Sequence, residues 1–213
     1  LNFLKKFAFY SLDTVGLPNL FLKLNDNQPR IFLYHGVSPE IPNYGIFNYR
    51  QKFIRPDAFR RHIIWLKKNF NILPLSYLIE HLQKGKGLPR RACAITFDDG
   101  YENLYSYAFP VLREFSIQVA VFLTTDFIDK KAPLWVDRLE YAVGTTTIEN
   151  LYVKFGHTPK KFSLASYGER CYADNTIRNY LKKIPAQEAI ETLENIITTS
   201  GKDLSSTLFD SPY

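Results

Sequence analysis

The chain has 213 residues, of which 46% are hydrophobic and 23% charged. That composition suits a globular protein with a buried core and excludes a disordered or collagen-like chain. The formal net charge of +6 would suit an anionic glycan, a membrane surface or nucleic acid. The basic residues, however, are scattered, with only pairs such as Lys67-Lys68 and Arg90-Arg91, so a mildly basic solvated surface is expected and no nucleic-acid partner.

Leu1 to Phe9 is apolar around Lys5-Lys6, and Pro18 interrupts the next stretch. The roughly 20-residue apolar run of a spanning helix is missing, as is the order of features of a secretory leader. A packing helix is expected, with peripheral membrane contact as its alternative. Location reads as cytoplasmic or membrane-peripheral, with extracellular or periplasmic left open. Asn25 to Pro29 feeds a strand over Arg30 to Tyr34, so that His35-Gly36 falls at its carboxyl end. An irregular loop with Pro39, Pro42 and Gly45 runs on to Phe53. Pro56-Asp57 opens a helix with Phe59, Ile63, Leu66 and Phe70 on one face. A short Ile72-Leu73 strand precedes a second helix, expected to be capped by Ser76 and to stop near Gly85. The Lys84-Gly85-Lys86-Gly87 turn lacks a phosphate-loop pattern.

Cys93 lies in the next apolar run and reads as a buried thiol; Cys171 is far away and the two have no metal spacing. That run, Ala94-Ile95-Thr96-Phe97, ends in Asp98-Asp99-Gly100-Tyr101. Adjacent carboxylates repel, and each loses solvation if buried, unless a metal ion, a shared proton or open solvent relieves them. At the carboxyl end of a strand they sit where α/β folds keep their chemistry. The plainer alternative is a solvated turn with one aspartate capping the next helix. A helix over Glu102 to Phe115, restarted or kinked at Pro110, leads to a strand over Gln118 to Leu123. Thr124-Thr125-Asp126 then joins the same rim or caps a helix. From Asp129 the register changes. A helix over Trp135 to Val143 is followed by alternating runs, Leu151 to Phe155 and Lys161 to Ala165, folded about Gly156-His157 as a hairpin. Helices come next near Thr176 to Lys183 and Pro185 to Thr199, the last with Ile190, Leu193 and Ile197 in one stripe. Trp135 is either a core tryptophan or a wall of the substrate groove.

Thr96-Phe97-Asp98-Asp99-Gly100-Tyr101 resembles the first motif of the polysaccharide deacetylases, the carbohydrate esterase group with NodB homology that includes chitin-oligosaccharide deacetylases. The resemblance extends to Ile31–Val37, to the helix pair from Phe53 to Gly85, and to Tyr107–Leu112 and Val119–Leu123. It implies an α/β fold: a partial, irregular (β/α) barrel with an α-rich insertion that contains a β-hairpin. The implied division is an N-terminal segment over 1–29, the first part of the barrel over 30–128, and the insertion over 129–213. The implied activity is metal-dependent removal of N-acetyl groups from the amino sugars of an N-acetylated glycan, in bacterial surface polysaccharide metabolism. Asp98 would be the catalytic base and Asp99 a ligand of a divalent metal, zinc first. His35, Tyr101 and Trp135 are expected to contact substrate, with a structural histidine that holds the loop by hydrogen bonds as the alternative for His35.

The family's later His-(Ser or Thr)-x-x-His-Pro motif is missing. The histidines are His35, His62, His81 and His157, no two of them four apart, and His157 reads as a turn residue. The absence of methionine and the ending at Phe209–Tyr213 suggest the amino-terminal part of a longer enzyme, with the histidine ligands beyond Tyr213. Two rivals remain: a magnesium-dependent phosphoryl hydrolase, which would need further acidic ligands, and a non-catalytic glycan-binding relic of the fold.

Overall fold

The computed structural model describes residues 17–40, 45–130 and 133–202. The expectations for Leu1 to Phe9 and for Phe209 to Tyr213 lie outside these described residues. The first element is helix α1 (Leu17–Leu24).

The sheet is organised by β5 (Ala92–Asp99), which is buried from Ala92 through Phe97 and loses burial only at the two aspartates. A strand apolar on both faces belongs at the centre of a parallel sheet, and β5 takes that place. Along one edge it pairs in parallel with β1 (Arg30–Tyr34), Cys93 to Phe97 opposite Arg30 to Tyr34. It also pairs in parallel with β4 (Asn71–Ile72) near its start and with β6 (Ala120–Leu123) near its end. The result is a mixed α/β fold around an open four-stranded sheet. Among the described residues the strands form no closed barrel. A second parallel pair, β2 (Gly36–Val37) with β3 (Phe53–Ile54), lies beyond the carboxyl end of β1.

Helix α2 (Pro56–Asn69) starts with Pro56 in its first turn, where a missing N–H costs nothing. Asp57 near its start and Lys67 and Lys68 near its end complement the helix dipole. Its buried stripe of Phe59, Ile63 and Leu66 packs on the sheet together with Phe70, as expected. The Phe59 ring meets Tyr34 and Phe97 edge-on, at centroid distances of 5.3 and 5.9 Å. Helix α3 (Leu75–Gln83) corrects one expectation: Pro74 is its cap position, no side chain caps it, and Ser76 is an exposed first-turn residue.

The helix expected over Glu102 to Phe115 is divided. Leu104–Ala108 form a π-helical turn, and α4 (Phe109–Glu114) continues with Pro110 in its first turn. Proline has no N–H and its ring crowds the carbonyl four residues back, so the preceding turn widens.

After α5 (Thr125–Lys130), a second apolar cluster forms from α6 (Trp135–Thr145), the antiparallel hairpin of β7 (Asn150–Phe155) and β8 (Thr158–Ser163), α7 (Tyr167–Leu181) and α8 (Ala186–Ser200). Leu151 and Val153 alternate inward from β7, and Gly156 turns the hairpin with a positive φ. Helix α7 begins at Tyr167, well before the expected Thr176. Ser166 and Glu169 form a reciprocal capping box, which holds the additional turns. On α8 the buried residues are Leu193, Ile196 and Ile197 among the apolar side chains. Ile190, expected in that stripe, is 55% exposed because it lines an apolar groove that no described element covers.

Candidate active site

Parallel strands bring their carboxyl ends to one rim. His35 follows β1 there, Asp98 and Asp99 close β5, and Thr124 follows β6. The chain turns immediately: φ is +74° at Asp99 and +85° at Gly100. Aspartate tolerates that region better than most residues, and glycine enters it freely. The Gly100 N–H donates to the Asp98 carbonyl at 3.0 Å, and the Thr124 N–H to the Asp99 carbonyl at 3.3 Å. A β-carbon on Gly100 would stand 2.6 Å from Leu123 Cδ2, the end of an exposed side chain that can swing away, so it is the positive φ that calls for glycine.

A cavity of about 610 Å³ opens at this rim, lined by His35, Lys52 and Asp99 and, from the helical cluster, by Trp135, Glu140 and Arg178. Three of the five expected site residues, His35, Asp99 and Trp135, therefore share one cavity. Asp98 is half-buried beside them in the strand. Trp135 also packs partly against the second cluster, so it is both a core residue and a wall.

Tyr101, expected at the substrate, is 2% exposed. The reversal at Gly100 turns its ring inward, against Phe53 at 5.0 Å and Phe127 at 5.3 Å. Its hydroxyl donates to Asp137 Oδ2 at 2.6 Å and accepts from Lys52 Nζ at 2.7 Å. Lys52 also pairs directly with Asp137, and its ammonium lies over the rings of Phe53 and Tyr101 at 4.8 and 4.7 Å. Tyr101 thus supports the rim from beneath. Asn103 helps in the same way, accepting from the Val37 N–H at 3.2 Å.

Lys52, Asn103, Asp137 and Glu140 are not singled out by the sequence. Lys52 comes from an irregular loop that carries no pattern. One signal is available for the acids: Asp137 and Glu140 stand three apart on a helix whose buried face also holds Leu139 and Val143. Acids within a buried helical stripe need partners. Of the remaining histidines, His157 is exposed in the hairpin turn, His62 Nδ1 lies 3.4 Å from the Tyr34 hydroxyl, and His81 Nδ1 lies 3.1 Å from the Gly87 carbonyl.

Burial pushes the Asp99 carboxyl above the usual carboxylate range. His35 and Lys52 pull it back, and the neighbouring Asp137 and Asp98 push it further. A carboxylate in that setting gains from a bound cation. Asp99, with Asp98 beside it, therefore suits a divalent ion as a partial ligand set. Among the described residues no cluster of three or more His, Cys, Asp or Glu could hold one.

Deeper in the helical cluster, Arg178 pairs with Asp174 at 3.0 Å and with Glu140 at 3.6 Å. Asp174 also accepts from the Tyr49 hydroxyl at 2.5 Å, and Glu140 from the Asn48 N–H at 2.9 Å. Burial pushes the Glu140 carboxyl up to about 7, against the pull of the Asn48 bond and Lys52.

Residues 85–158 match the family model described as polysaccharide deacetylase. The poly-beta-1,6-N-acetyl-D-glucosamine N-deacetylase of Staphylococcus epidermidis is 36% identical over 92 residues, 43% of this chain and 29% of the relative. The Staphylococcus aureus enzyme of that name is 30% identical over 126 residues, 52% of this chain and 40% of the relative. This segment resembles the polysaccharide deacetylase family over residues 85–158. The Escherichia coli enzyme of the same name matches at 36% over 63 residues, 29% of this chain and 9% of its own length. The chain thus spans less than half the length of the curated relatives it matches. A solved structure of IcaB from Ammonifex degensii aligns over 83% of this chain and 82% of that chain, with 19% identity and a TM-score of 0.44, a likeness too loose to argue from. The deacetylase match takes in the acidic turn, β6 and α6, and so Asp99 and Trp135 of the cavity lining, but not His35, Lys52 or Arg178.

Two outcomes test the arrangement. Tyr101→Phe keeps the ring packing but removes the bridge between Lys52 and Asp137, and is expected to cost about 1–2 kcal/mol in urea unfolding. Glu140 is held protonated in the folded chain above the pH at which it ionises when unfolded. Its contribution is full below about 4.5 and is lost as pH rises through about 7. Glu140→Gln should therefore flatten the fall in thermal midpoint across that window.

Proposed function

We propose that this chain carries the paired-aspartate half of a metal-dependent hydrolase that removes N-acetyl groups from the amino sugars of a polysaccharide. The observation that carries the reading is the Asp98-Asp99 pair, at the carboxyl end of the central strand and beside an open cavity, within the segment that matches the deacetylase family. The named relatives act on poly-β-1,6-N-acetyl-D-glucosamine, which makes an N-acetylated glucosamine polymer the first substrate to try.

In this reading Asp98 takes the proton from the attacking water, and Asp99 holds the metal. Zinc is the first candidate, since a carboxylate with two imidazoles and open positions suits it, the imidazoles coming from outside the described residues. When bound, a divalent ion polarises the amide carbonyl and makes water acidic enough to attack near neutral pH. Water adds to the acetyl carbon, the C–N bond breaks, and acetate and a free amine result. His35 and Trp135 bound the space in which the sugar would lie, and Tyr101, Lys52 and Asp137 keep the rim in place. A low-dielectric support of this kind needs no reorganisation during the reaction.

The division into an N-terminal segment (1–29), a partial (β/α) barrel (30–128) and a helical insertion (129–213) belongs to the same proposal. So does a membrane-peripheral location. It is supported by Leu17, Leu20 and Leu24, which stand 44%, 50% and 76% exposed on α1. No described helix is long and apolar enough to cross a membrane.

The test is acetate release from an N-acetylglucosamine oligomer by the full-length protein. Asp98→Asn should lower the rate by about 10²–10⁴-fold with metal content unchanged. Asp99→Asn should lose bound metal and activity together. Glycan binding without acetate release, indifferent to chelator, would replace the enzyme with a binding relic.

A further inference from the structure

We infer that the cavity beside Asp99 is built for a glycan bearing anionic substituents, with Arg50 and Lys182 as the residues that select for that charge. The inference rests on the deacetylase reading and adds a substrate class to it. Four cationic side chains, Arg50, Lys52, Arg178 and Lys182, line the cavity, against the carboxyl groups of Asp99 and Glu140. The inner two are matched within the protein. Lys52 pairs with Asp137, and Arg178 with Asp174 through both Nε and Nη2.

The outer two are not matched in this way. Among the described residues no carboxylate stands within 4 Å of either Arg50 or Lys182. Arg50 Nη1 donates instead to the neutral amide oxygen of Asn175 at 2.9 Å. That bond uses one donor, the Tyr49 hydroxyl meets another, and Asp174 acts on the charge only from beyond contact distance; the guanidinium fork retains donors for a carboxylate or a phosphate. Lys182 caps the carboxyl end of α7, following Leu181, which is 4% exposed and fixes the end of the helix in the core. Both cations are exposed, while Lys52 and Arg178 lie deeper. The cavity thus has charges neutralised at its floor and available at its lip.

A metal ion at Asp99 would remove negative charge from the same space, and Glu140 is already held toward its neutral form. A cleft with one net sign and protein walls concentrates counter-charged ligands. A neutral amino-sugar polymer gains only hydrogen bonds to hydroxyl and amide oxygens from Arg50 and Lys182, whereas a polymer with an anionic group on a neighbouring residue gains the stronger charge-assisted ones. Trp135 and Lys182 also line the apolar groove of about 380 Å³ that adjoins the cavity, so a chain leaving the cavity would pass over both. The shared chemistry is a carboxylate or phosphodiester oxygen on a sugar next to the one that is deacetylated.

The test compares three N-acetylated probes on the full-length protein by calorimetric titration and by acetate release. They are a neutral chito-oligosaccharide, a hyaluronan oligosaccharide with alternating uronates, and a phosphodiester-linked N-acetylhexosamine oligomer of similar length. One or both anionic probes should bind about tenfold more tightly than the neutral one at low salt, as expected for two partly exposed ion pairs. Whichever does so identifies the source of the charge. The preference should shrink as salt rises and should fall towards unity in the Arg50→Gln, Lys182→Gln double variant, whose thermal midpoint is measured alongside. Equal binding of all three probes overturns the inference, as does a preference that survives the double variant. Acetate release from the neutral probe with no charge preference overturns this inference alone. A charge preference that the double variant abolishes, with no acetate released from any probe, leaves the anion-selective cavity standing and removes the deacetylase reading.

Discussion

A lysine and an aspartate that could not be buried separately hold this molecule together at its site. The Lys52 side chain is 17% exposed and that of Asp137 is 5% exposed, so each has given up most of its hydration. Removing either partner of such a pair leaves an uncompensated buried charge, typically a loss of about 3–5 kcal/mol. The Tyr101 hydroxyl completes the arrangement by bonding to both. Three segments far apart in sequence converge here: the loop before β3, the turn after β5, and the first turn of α6. The sheet and the helical cluster are joined at this point, and the cavity is the space left between them. The acidic turn cannot shift far without breaking the Tyr101 bonds, since only Gly100 separates Tyr101 from Asp99.

The same constraint explains why some features can be read directly from the residues and others cannot. The burial of β5, the stripe on α2, the hairpin about Gly156 and the placement of His35 beside the aspartates all follow from local patterns of apolar residues and turn formers. The turn after β5 is equally readable as a turn, but its consequence for Tyr101 is not. Whether the next side chain faces the cavity or the core depends on φ at Asp99 and Gly100 and on Phe53 and Phe127, which arrive from elsewhere in the chain. Lys52 carries no signal, because a lone lysine in an irregular loop looks like surface. Asp137 looks like an ordinary first-turn acid. The capping box at Ser166 and Glu169 is visible in the sequence, and it outweighs the polar composition of α7 in setting where that helix starts.

For function, the division of labour is between residues that meet the cavity and residues that fix it. Asp99, His35 and Trp135 meet it; Tyr101, Asn103 and Asp137 fix it. A phosphoryl hydrolase that relies on magnesium would call for several carboxylates converging from different strand ends, and the described strand ends supply only the Asp98-Asp99 pair. The family match over residues 85–158 and the carboxyl-end position of the pair support the proposed hydrolysis of an acetamide. In the proposed reading the cations at the lip of the cavity bear on which acetylated polymer is accepted, a separate matter from whether acetate is released.

The most direct measurement is mass spectrometry of an N-acetylglucosamine oligomer incubated with the full-length protein, first as purified, then after exhaustive chelation, then with zinc restored. A metal-dependent deacetylase should give successive losses of single acetyl groups that stop on chelation and resume with the metal. An oligomer of unchanged mass under all three conditions, or deacetylation that persists without metal, would contradict that assignment.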